Sequence, residues 1–139
     1  MSLRIFYDNV DLRFPRWRKA QNIFLRVIGS ENKIPDDLNF IITNDSTIKK
    51  INNEFLQHNY FTDVIAFDYG NEHVVRGEVY ISIDTVRRNA LNYKISLTNE
   101  LFRVMIHGLL HLCGHTDNNE EGKNEMRRLE DYWIKEYDN

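Results

Sequence analysis

His107 and His111 stand four residues apart in His107-Gly108-Leu109-Leu110-His111-Leu112-Cys113-Gly114-His115-Thr116-Asp117. On a helix this spacing leaves two side chains about 40° apart in azimuth and one turn apart in height. Both imidazoles can then reach one ion from the same side. Gly114 lies three residues past His111, and Asp117 three past that. A reversal at Gly114 would return a third donor towards the pair. Zinc accepts imidazole nitrogen and carboxylate oxygen, and catalytic zinc commonly keeps three protein donors and one open position. The expected donors are His107, His111 and a third from Asp117 or His115, which competes because it follows Gly114 directly. The expected cofactor is one divalent transition metal, zinc before others. A His-His-Asp set also resembles the facial triad of non-haem iron oxygenases.

The same spacing occurs in metzincin proteases, apart from the third donor. Their chemistry uses a glutamate directly after the first histidine as general base. That place is Gly108, which offers no base, so the spacing argues against the usual protease route. A purely structural zinc is normally closed by four protein donors and is rich in cysteine. The chain has one cysteine, Cys113. It is two residues past His111, should point to another helix face, and reads as a small core residue.

The histidines need a helix, and the surrounding pattern supplies one. Ser96 or Thr98 can cap a segment from about Leu97 to Cys113 that is apolar on most sides, the mark of a buried helix. Gly114 stops it, because glycine takes the left-handed C′ conformation cheaply. A polar helix over about 119–136 follows, with Met126, Leu129, Trp133 and Ile134 inward. Upstream, Ile5-Phe6-Tyr7 reads as a strand. Pro15 can open a helix over Arg16 to Ile28, with Gly29 as its stop. Pro35 falls in a turn. Residues 39–43, 64–69 and 78–83 read as strands. Asn44 or Asp45 caps a helix carrying Ile48, Ile51 and Phe55, and another helix is expected over about 84–90. Strands first and helices later indicate an α+β fold: one small mixed β-sheet with helices packed on it, carrying a zinc-metalloprotease-like metal helix.

Bulk properties narrow the field. A chain of 139 residues fits one domain, expected over 1–139. Net charge is −3, so nucleic-acid binding would need a local basic patch. Candidates are Arg16, Arg18, Lys19 and Arg26, then Arg87 and Arg88, then Lys123, Arg127 and Arg128. The first residues lack the apolar run of a secretory signal, and no stretch is long enough for a membrane span. A soluble cytoplasmic protein with no membrane partner is expected.

Three blocks in order carry a family resemblance. Residues 107–117 are similar to His-Gly-x-Leu-His-Leu-x-Gly-Tyr-Asp-His. Phe61-Thr62-Asp63-Val64-Ile65-Ala66-Phe67 is similar to Pro-Thr-Asp-Val-Leu-Ser-Phe. Gly77-Glu78-Val79-Tyr80-Ile81-Ser82 is similar to Gly-Asp-Ile-x-Ile-Ser. Together with Glu100 and Met126 to Glu130, they resemble the YbeY family, rRNA maturation factors described as metal-dependent endoribonucleases. The likeness spans about residues 40 to 135, and Gly108 is part of its signature.

The resemblance implies a hydrolase, a single-strand endoribonuclease acting in small-subunit rRNA processing and ribosome assembly. It implies RNA and the small ribosomal subunit as partners, with no DNA. The family's third histidine ligand falls on Asp117, which favours that residue over His115. Leu56 stands where the family has an arginine thought to act on RNA; His58 is a nearby substitute, and Phe61 replaces a proline. Tyr60, Phe61 and Tyr69 could stack bases. No residue is assigned as general base; Asp63 and Glu78 are carboxylates in matching blocks, though strand carboxylates are commonly structural. The alternatives are a non-catalytic assembly factor with a structural metal, or another zinc-dependent hydrolase.

Overall fold

Alternating apolar runs and amphipathic segments place the elements in the order β1 (Leu3–Tyr7), α1 (Trp17–Ser30), β2 (Ile34–Thr43), α2 (Asp45–Phe55), β3 (Val64–Asp68), β4 (Val74–Ser82), α3 (Ile83–Tyr93), α4 (Leu97–Leu112) and α5 (Glu120–Asp138). The computed structural model describes residues 2–55 and 62–139. Leu56, His58, Tyr60 and Phe61 therefore lie outside the described residues. No described helix is long and apolar enough to cross a membrane.

The sheet has four strands in the order β1-β2-β4-β3. β1 and β4 run parallel to β2, and β3 runs antiparallel to β4. The α+β class and the mixed sheet agree with the sequence reading, but helices alternate with strands from the start. The cause is topological: parallel neighbours need a crossover, and α1 makes the one between β1 and β2.

Leu38, Phe40 and Ile42 of β2 and Val75, Val79 and Ile81 of β4 are buried on one face of the sheet. Their spacing follows the period of a strand. Helices α1, α4 and α5 close over that face, while α2 lies against the other, where Phe55 meets Phe67 and Phe67 meets Tyr80. Phe24 of α1 stacks on Phe102 of α4 at 5.5 Å, and Phe102 stacks on Tyr137 of α5 at 4.1 Å between ring centroids. Helix α4 is the most buried helix, and its approach to the sheet depends on Gly108. A Cβ built there would lie 2.5 Å from Val79 Cγ1 and 3.3 Å from Val64 Cγ2.

Local chemistry sets the ends. Ser96 Oγ accepts from the Asn99 amide at the start of α4, and Gly114 with φ 103° ends it, both as expected. Asn44 Oδ1 caps α2 through the Thr47 amide. Asn119 Oδ1 caps α5 through Gly122.

Several boundaries differ from the sequence reading: α1 starts at Trp17 with Arg16 left-handed before it, and β4 starts at Val74, four residues ahead of Glu78. Gly29 lies inside α1, and the left-handed residue beyond that helix is Asn32 at φ 60°. Asparagine tolerates that region because its short amide bonds locally. Pro35 lies in β2, where the register shifts between Pro35 and Leu38, so the irregularity accommodates a residue without an amide hydrogen. Helix α3 begins at Ile83 because Ser82 Oγ accepts from the Thr85 amide, which also ends β4.

Candidate metal centre

His107 and His111 project from the last two turns of α4, and Gly114 turns the chain so that Asp117 faces them. The Nε2 atoms of the histidines are 3.1 Å apart. Asp117 Oδ2 is 3.3 Å from His107 Nε2, and Oδ1 is 3.7 Å from His111 Nε2. One donor atom from each residue lies within 4.8 Å of the others, and these three make a possible metal site. Metal–nitrogen arms of about 2.0–2.1 Å at the tetrahedral angle put neighbouring donors about 3.3 Å apart. The observed separations bracket that value.

The histidine tautomers sharpen the fit. His107 Nδ1 is 2.7 Å from Glu130 Oε2. A carboxylate only accepts, so the proton sits on Nδ1 and a neutral ring turns its Nε2 lone pair towards His111. His111 Nδ1 is 3.1 Å from the carbonyl oxygen of His115, with the same consequence. Two lone pairs and a carboxylate thus face one another with no donor among them. A bound cation satisfies that arrangement, as does a second proton on His107 that its Nε2 donates to Asp117.

The electrostatics agree. Burial alone lowers the His107 pKa, but the hydrogen bond and charge of Glu130, with Asp117 and Asp63, outweigh it and hold the pKa above the ordinary histidine value. Burial, then the neighbouring His107, lowers His111. Positive charge is favoured at the centre but not on both rings.

Glu130 is nearly buried on α5, and its second oxygen accepts from Arg103 Nη1 at 3.1 Å. Arg103 also donates to Asp131 at 2.8 Å. These linked hydrogen bonds fix the His107 ring. Sequence reasoning placed Glu130 only within a matching block and gave it no role at the metal. A histidine ligand that lacks an evident partner is the signal that points to such a residue.

His115 turns away: its Nε2 is 2.8 Å from Glu31 Oε1 at the end of α1. Its contribution is the carbonyl that orients His111. Cys113 is buried, and burial pushes its thiol up to about 12, consistent with a small core residue. Burial raises the Asp63 carboxyl despite the charge of His107. Glu78 accepts from the Tyr69 hydroxyl at 3.0 Å, beside the aromatic rings of Phe67 and Tyr80. Among the candidate cations, Arg26 pairs with Glu136, Arg88 with Asp45 and Arg128 with Glu125.

Beside the cluster lies a cleft of about 230 Å³ lined by His107, Asp117, Lys123, Met126, Arg127 and Glu130. A family model described as Endoribonuclease YbeY matches residues 8–138. The chain belongs to the YbeY family. The Endoribonuclease YbeY of Flavobacterium psychrophilum is 44% identical over 109 residues, 78% of each chain. That of Chlorobium phaeobacteroides is 36% identical over 134 residues, 96% of each chain. A protein of Thermotoga maritima solved in solution superposes with a TM-score of 0.67 at 26% identity, over 98% of this chain and 89% of its own. The YbeY match starts in the segment after β1, so it takes in α1 as well as the three blocks read from the sequence.

Proposed function

We propose that this protein is a metal-dependent endoribonuclease that cleaves single-stranded RNA during rRNA processing and ribosome assembly. His107, His111 and Asp117 hold one divalent transition metal, zinc before others. Residues 1–139 form one metal-binding domain, which works in the cytoplasm on rRNA and the small ribosomal subunit. The observation that carries the reading is the pair of oriented imidazole lone pairs facing the Asp117 carboxylate. Membership of a family whose relatives are named endoribonucleases supports the substrate class.

When bound, the ion supplies Lewis-acid polarisation of water or of a phosphate oxygen. The chain's own groups prepare that chemistry. Glu130 keeps a proton on His107 Nδ1, and the His115 carbonyl keeps one on His111 Nδ1. Arg103 holds Glu130 in place. Asp117 lowers the charge of the centre by one unit relative to three neutral imidazoles, so the centre polarises less strongly. Gly108 leaves the position after His107 without a side chain, so the chemistry differs from that of the glutamate-based proteases.

The test is cleavage of a single-stranded RNA by native protein beside a folded His111→Ala variant. The variant is expected to lose cleavage. Equal residual cleavage in both contradicts the catalytic reading and favours an assembly factor whose metal is structural.

A further inference from the structure

The cleft beside the metal cluster does not end there. A second cleft of about 440 Å³ is lined by Tyr93, Ile95, Glu100, Arg103, Arg127, Glu130 and Asp131. The two share Arg127 and Glu130, so they adjoin in a row from His107 and Asp117 to Tyr93. Resting on the function proposed above, we infer that this row of clefts forms a groove, the track for the RNA strand on one side of the cleaved phosphate. Lys123 and Arg127 hold phosphates, and Tyr93 stacks a base at the far end.

The cations set the groove apart. Lys123 and Arg127 are exposed and have no acidic partner among the described residues, whereas the adjacent Arg128 is paired with Glu125 through both of its oxygens. Lys123 and Arg127 lie four residues apart on α5, a rise of about 6 Å on one face. That is close to the separation of neighbouring phosphates on one strand. Two unpaired cations bordering the groove supply the local basic patch that a chain of net charge −3 needs.

Of the acids that line the groove, Asp117 faces the two histidines, and the others are held away from the cations. Glu130 and Asp131 are both engaged by Arg103. Glu100 is 3% exposed, and burial pushes its carboxyl up to about 7, so much of its charge is absent at neutral pH. Tyr93, 61% exposed, closes the groove beside Ile95 at 40%. An exposed aromatic next to a cationic channel is the arrangement by which single strands are held without sequence readout.

The test compares neighbours on one helix turn. Binding of a fluorescent single-stranded RNA of about ten nucleotides is measured by anisotropy over a salt series, before cleavage advances, with metal content measured in parallel. K123Q/R127Q is expected to bind roughly tenfold more weakly. Its slope of log affinity against log salt should be shallower by about 0.7 for each phosphate that is no longer neutralised. Its metal content should be unchanged. R127Q alone should also weaken binding, whereas R128Q, which removes an equal charge one residue away, should bind as the native protein does. Tyr93→Ala should weaken binding roughly five- to hundredfold while Tyr93→Phe retains it, since phenylalanine keeps the stacking face. Equal losses for R127Q and R128Q, or native binding by K123Q/R127Q, overturn the track and leave the proposed function standing. Failure of the native protein to bind RNA overturns both.

Discussion

At the residue scale the centre depends on which nitrogen of each histidine carries a proton. Glu130 makes that choice for His107 from 2.7 Å, while the backbone of His115 makes it for His111. Partners of this kind usually strengthen metal sites by 10–100-fold in affinity, an order of magnitude or about two. Glu130→Gln keeps the shape but replaces a charged acceptor with an amide that can also donate. Zinc affinity measured by competition with a chromogenic chelator should therefore fall by roughly 10–100-fold. An unchanged affinity would mean that the His107 ring is set by packing alone. His107 and His111 were legible in the sequence as a pair because helix geometry fixes their relation locally, and the family resemblance added Asp117. Glu130 was not, since it reaches the centre from another helix, and the choice between His115 and Asp117 depended on the direction of the turn.

At the element scale Gly108 is an anatomical requirement of α4 as well as a mark of its chemistry. In an isolated helix, alanine is favoured over glycine by about 1 kcal/mol. Here a Cβ would meet Val79 at 2.5 Å. Overpacking of this kind costs about 1–3 kcal/mol, so packing wins over propensity. Gly108→Ala should unfold at lower denaturant than the native protein, and an increase in stability would show that α4 can lift from the sheet freely. The same element explains what sequence patterning reveals. The start and stop of α4 are written in Ser96 and Gly114, whose capping is local. The extent of β2 is not, because Pro35 and the acidic pair Asp36 and Asp37 have the composition of a turn, and pairing of Ile34 and Pro35 with β4 extends the strand through them.

At the scale of the whole molecule, the buried acid of α4 couples stability to pH. Glu100 Oε1 is buried and has no hydrogen-bond partner among the described residues. Burial raises its carboxyl from an ordinary 4.5 to about 7; Arg103 opposes the rise, and Asp63 and Glu130 add to it. The folded chain therefore holds this proton more tightly than the unfolded chain. Its contribution is fully present below about pH 4.5 and is lost as pH rises through about 7. The difference amounts to about 3 kcal/mol between those limits. Urea unfolding of metal-stripped protein at pH 5 and pH 8 measures it, and Glu100→Gln should flatten the fall relative to native protein. An equal fall in both would assign the pH dependence elsewhere. The order of strands and helices also belongs to this scale. It eluded the sequence because parallel pairing is a long-range outcome, settled by which edge α1 brings β2 to.

The centre itself is tested most directly by metal content. The protein is purified without chelators and without a nickel resin, supplied with zinc, freed of excess ion and assayed for metals beside His111→Ala. About one transition-metal ion per native chain is expected, as the three-donor site requires, with marked loss from the variant. A native chain that stays near zero metal after zinc is supplied would refute the His107, His111 and Asp117 centre.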